Sequence, residues 1–148
     1  MTAEEAGAAR PGEDVVRLSW ALTAVFVVCA IAATIAPGAL GRPVAVLDGV
    51  FFAGGVVAFA GAYVRAISRS RFEKITVTGV FLLSGSAPAE IRRSLLGALA
   101  VQSLVAVTTA SIRLYSPVAF GVLVPVLGLG LAGWWGSRHG TFPPREGS

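Results

Sequence analysis

The sequence predicts an all-α membrane protein, with four transmembrane helices set as two hairpins and joined by a basic cytoplasmic loop. Three observations predict it. The chain is 55% hydrophobic and only 14% charged, with a mean hydropathy of +0.76. A soluble domain carries nearer a quarter charged residues, and a chain this apolar cannot clothe its surface for water. The apolar residues fall into four long runs, each able as a helix to cross a hydrocarbon layer of about 30 Å. The basic residues gather at the ends of those runs, as they do on the inward flanks of membrane helices.

The net charge of +4 and the pI near 10.2 do not indicate nucleic acid, because the cations follow span ends and form no single polar face. The one cysteine, Cys29, lies inside an apolar run, and His139 is the one histidine. That leaves no intramolecular disulfide, and no cofactor or metal site is expected.

Residues 1–16 read as a disordered cytoplasmic tail, small and acidic with Glu4, Glu5, Glu13 and Asp14. An acidic start and a long apolar run argue against a cleaved signal peptide, so the first span is expected to be retained. It covers 18–36, with Arg17 and Trp20 as interfacial anchors, and Pro37-Gly38 stops it. A turn at 39–43 leads to the second span, 44–64, where Asp48 lies one turn inside the outer end. Gly54, Ala58 and Ala62 recur every four residues along it, a small-residue stripe that lets helix backbones approach.

The loop 65–93 carries six of the twelve basic residues: Arg65, Arg69, Arg71, Lys74, Arg92 and Arg93. Within it, 75–83 is apolar but too short to span. Its β-branched alternation fits a short strand, with an interfacial or re-entrant piece as the alternative. After the Ser84-Gly85-Ser86 turn, Pro88 and Glu90 suit the start of a helix that runs on through the third span, 94–112. Arg113 ends that span on the outer side. The fourth span, 118–135, carries Pro125, which should kink it or leave a carbonyl free for a neighbour, and Gly121, Gly128, Ala132 and Gly136 on one face. The four-helix domain thus covers 17–136. The remainder, 137–148, reads as a disordered cytoplasmic tail rich in proline.

Ten basic residues fall on the side of the loop and the two tails, and only Arg42 and Arg113 on the other. This places both termini inside a plasma (inner) membrane, multi-pass. Candidate sites follow from polarity. Arg69, Arg71, Lys74, Arg92 and Arg93 could meet anionic lipid at the cytoplasmic face of the bilayer, or an acidic partner. Gln102, Ser103, Thr108 and Thr109 form an intramembrane polar face, as helix glue or as a lining. Asp48 and Arg113 should sit at one depth near the outer surface as a pair. No catalytic constellation appears: a Gly-x-Ser-x-Gly elbow is absent, and carboxylates alone define no reaction. The chain is therefore expected not to be an enzyme. The leading expectation is an accessory or scaffold subunit bound to a membrane-protein partner or to its own copies. The alternatives are a small oligomeric transporter or channel, or a lipid-binding protein.

Several stretches between 67 and 145 form a further pattern. They are Arg69-Ser70-Arg71, Leu83-Ser84-Gly85-Ser86-Ala87-Pro88, Gly97-Ala98-Leu99-Ala100-Val101-Gln102, Ala119-Phe120-Gly121-Val122-Leu123, and Gly133-Trp134-Trp135-Gly136-Ser137-Arg138-His139-Gly140-Thr141-Phe142-Pro143-Pro144-Arg145. This half of the chain resembles small uncharacterised integral membrane proteins of actinobacteria. The resemblance implies a plasma-membrane protein of such an organism. It implies no catalytic role, because that group has no assigned activity.

Overall fold

A computed structural model describes residues 11–145. Four of its helices are long and apolar enough to cross a membrane: Glu13–Ile35, Pro37–Arg69, Ala89–Ile112 and Pro117–His139. The first two are α1 and α2, and a short helix α3 follows at Val77–Phe81. Ala89–Ile112 is α4. The fourth begins as a 3-10 segment, Pro117–Leu123, and continues as α5, Pro125–His139. The starts of α1 and α4 and the ends of α2 and α5 share what is here termed the hub end. The α1–α2 and α4–α5 links form the far end.

Helix α1 starts at Glu13, inside the stretch expected to be a disordered tail. Glu13 and Asp14 complement the positive end of the helix. Val15 and Val16 pack on the buried cluster of Leu83, Leu95, Ala132 and Trp135, which orders this first turn. Residues 1–10 of that predicted tail lie outside the described residues.

The turn expected at 39–43 is helical. One residue, Ala36, separates α1 from α2, and Pro37 opens α2 where a missing N–H costs nothing. The helix runs on through Pro43, giving up one backbone bond there. At 33 residues α2 is about 50 Å long, well beyond the hydrocarbon thickness.

Pro125 marks a change of helix type within the fourth span. Instead of kinking one continuous helix, it opens α5 directly after the 3-10 segment. Helix α5 is the centre of the bundle. In the most apolar stretch of the fourth span 56% of the residues are buried, against 22–28% in the other three. Glycines make this possible, each toward a different neighbour. Gly130 meets the Gly55 carbonyl of α2, so closely that a methyl on Gly130 would overlap it. Gly133 takes the Phe81 ring, Gly136 the Val80 carbonyl of α3, and Gly128 the Gln102 amide of α4. The residues predicted to share one face therefore serve several interfaces. On α2, Gly55 makes the closest approach, while Gly54 is exposed.

The strand expected within 75–83 is absent, since 77–81 is helical. The Thr76 hydroxyl caps it by accepting from the Gly79 N–H at 3.0 Å. The helix buries Val80 and Phe81 against Ala62 and Ala66, and Phe81 stacks on Phe59 with centroids 4.3 Å apart. Leu83 then adopts φ 54°, rare for a branched side chain, and its fully buried side chain holds the turn.

The C-terminal stretch expected to be disordered is docked as far as it is described. The Lys74 N–H donates to the Pro143 carbonyl at 2.9 Å, and the Arg145 N–H to the Phe72 carbonyl at 3.0 Å. The Thr141 N–H donates to the Ser86 carbonyl at 2.9 Å. Residues 146–148 lie outside the described residues.

Candidate functional site

The polar residues inside the spans fall into two separate places. Gln102 is fully buried on α4 and donates through Nε2 to the Thr23 hydroxyl of α1 at 2.7 Å. That hydroxyl in turn donates to the Ser19 carbonyl at 2.7 Å. Gln102 Oε1 has no hydrogen-bond partner among the described residues and packs on Gly128. The Ser103, Thr108 and Thr109 hydroxyls each donate to a carbonyl of their own helix, at Leu99, Leu104 and Val105. Gln102 and Thr109 point inward while Thr108 is exposed, so the four predicted residues line no common surface.

The second place holds Asp48, 1% exposed, beside Phe26 and Gly121. Its Oδ1 has no hydrogen-bond partner among the described residues. The structure does not bring Arg113 to it. Arg113 donates through Nε and Nη2 to the Thr34 carbonyl, at 3.2 and 2.9 Å, and so caps the last turn of α1. The separation follows from the longer α2. With the helix starting at Pro37, Asp48 lies about three turns in, deeper than Arg113 at the end of α4.

The loop and the tail build an ordered platform at the hub end. Arg69 is its clasp. Its guanidinium donates to the Ser137 carbonyl at 2.9 Å and the Gly140 carbonyl at 3.1 Å. It pairs with Glu73 at 2.8 Å and lies 5.4 Å from the centre of the Phe142 ring. Of the five predicted contact residues, Arg69 thus faces inward as a structural tie. Arg71, Lys74, Arg92 and Arg93 are exposed. Arg92 and Arg93 border a recess of about 580 Å³ with Gly85, Ala87 and Leu96.

Sequence reasoning missed a third feature. Beside the platform, α2 and α5 enclose a groove of about 860 Å³ lined by Val57, Gly61, Val64, Arg65, Trp134 and Arg138. Its signal was available as two i,i+4 pairs, Gly61 with Arg65 and Trp134 with Arg138, but their apposition depends on how α2 meets α5. Among the described residues, no three His, Cys, Asp or Glu side chains gather as metal ligands would.

Comparison with protein-family models, curated proteins and solved structures finds no match to this chain. These comparisons lend no support to the resemblance read in 67–145, and no activity comes from it. What the chain does is argued from its geometry.

Proposed function

We propose that the chain is an accessory or scaffold subunit of a membrane assembly, working by binding. In this reading it sits in the plasma membrane with both ends and the platform in the cytoplasm, as two hairpins joined through the platform. The ordered platform carries the reading. A loop that served only to set topology would need basic residues and no fixed shape. Here Arg69 ties the loop to Ser137 and Gly140, and the backbone of 72–74 pairs with 143–145. The result presents Arg71, Arg92 and Arg93 on a rigid base, which suits an acidic cytoplasmic surface of a partner. The burial of Gln102 between helices and the scatter of its polar neighbours support binding over conduction.

Native mass spectrometry after gentle extraction from the source membrane tests this. A second protein in fixed ratio is expected, weakened when Arg71, Arg92 and Arg93 are changed together to Gln. Recovery of the chain alone, or only with its own copies, would sink the reading.

A further inference from the structure

We infer that the groove between the hub ends of α2 and α5 binds one anionic membrane phospholipid. The inference rests on the membrane embedding and not on the accessory role. Gly61 has no side chain where the Trp134 ring lies, and an added methyl there would sit 2.7 Å from the indole. The ring can therefore press against α2 and form a flat apolar floor, continued by the exposed Val57 and Val64. Arg138 stacks over the same indole at 4.2 Å, which holds its guanidinium at the rim. Arg65, one turn below Gly61, supplies a second cation to the groove.

Neither Arg65 nor Arg138 has an ion pair among the described residues. Arg69, the third arginine of the groove, is already committed to Glu73 and the tail carbonyls. The groove thus offers two uncompensated guanidiniums at its polar end and an apolar floor leading toward the hydrocarbon. An occupant must carry an anion at one end and methylenes at the other, at the level of the membrane boundary. A phosphate between two arginines with an acyl chain on Val57, Gly61 and Trp134 meets both demands. A free anion would leave the floor bare, and a zwitterionic lipid would bring its own ammonium to the two arginines.

The test is native mass spectrometry of delipidated protein titrated with anionic phosphatidylglycerol or zwitterionic phosphatidylcholine of identical chains. Glycerol phosphate serves as the tail-free arm. One phosphatidylglycerol is expected to bind about 10- to 30-fold more tightly than phosphatidylcholine, which corresponds to about 1 kcal/mol per arginine at most. Changing Arg65→Gln and Arg138→Gln together should bring the two lipids to parity. Arg65→Lys with Arg138→Lys should keep most of the preference, which separates lost charge from lost folding. Gly61→Leu should weaken both lipids, and Arg92→Gln with Arg93→Gln should change neither. Parity in the unmodified protein, an equal loss in the Arg92/Arg93 variant, or glycerol phosphate binding as tightly as the lipid would overturn the inference. The partner experiment reads a protein in fixed ratio, so either proposal can fail without the other.

Discussion

Asp48 and Gln102 show how differently two buried polar side chains can be held. Asp48 Oδ1 finds no hydrogen-bond partner among the described residues, and Oδ2 lies toward Gly121, which also meets the Phe26 ring. An acidic group buried this way costs stability unless something pairs with it. Asp48→Asn is therefore expected to melt in detergent at or above the temperature of the unmodified protein. A loss of more than about 2 kcal/mol would reveal a partner that the bundle alone does not supply. Gln102 has one bond across to Thr23 and one unpartnered oxygen. Such interhelical bonds contribute about 0.6 kcal/mol on average. Gln102→Leu keeps the volume and removes the unpartnered oxygen, so its stability should stay within about 1 kcal/mol. Gln102→Ala opens a void against Gly128 and should cost about 2 kcal/mol or more. Equal losses in the two variants would mean that the bond, and not the packing, holds α1 to α4. The sequence singled out Gln102 as a polar group inside a span and Asp48 as one near the outer surface. It misplaced the partner of Asp48, because pairing it with Arg113 assumed that α2 begins near Val44.

At the scale of elements, the helix that everything else packs around is α5, and its glycines decide how. The sequence showed small residues on both α2 and α5 and their use in close packing. It could not show which glycine meets which neighbour, since adjacent positions on a helix differ by about 100°. Gly54 and Gly55 illustrate this: one is exposed and the other lies against the backbone of Val126 and Leu127. Gly130→Leu should force α2 and α5 apart and cost about 3 kcal/mol or more, or prevent assembly. Gly49, with open space beside it, is the control, and Gly49→Leu should fall within about 0.5 kcal/mol. Similar effects at both positions, read by detergent melting, would remove the close contact from the account. The docked tail was hidden from the sequence for another reason. Its polar, proline-rich composition is that of a free end, and the backbone it pairs with lies some seventy residues away. The fold sets Glu73 opposite Pro144, with backbone bonds between 72–74 and 143–145 on either side.

For the whole molecule, two features bear on the proposed placement of the hub end inside, one on its side of the membrane and the other on its depth. The first is charge. Arg17, Arg138 and Arg145 join the six cations of residues 65–93 at the hub end, while Arg42 and Arg113 lie at the far end. The second is the aromatic belt, which fixes the depth of that end and not its side. All three tryptophans sit toward the hub end, where Trp20 donates to the Ser94 hydroxyl at 2.9 Å and Trp134 carries Arg138. Indoles at that level mark where hydrocarbon gives way to headgroups, with the cations just beyond. The length of α2 fits the same boundary, since a helix of about 50 Å must carry its last turns, with Arg65 and Arg69, out of the hydrocarbon. Single-cysteine labelling reads the orientation directly. With Cys29→Ala as background, Ser84→Cys marks the exposed hub end and Tyr115→Cys the fully exposed far end. In intact cells, a membrane-impermeant maleimide should modify the cysteine placed at Tyr115 and spare the one at Ser84. Lysis or inverted vesicles should make the Ser84 position reactive. The reverse pattern would turn the molecule over and put the basic platform outside, beyond reach of any cytoplasmic partner. Labelling of both positions in intact cells would deny that α4 crosses the membrane in one fixed orientation.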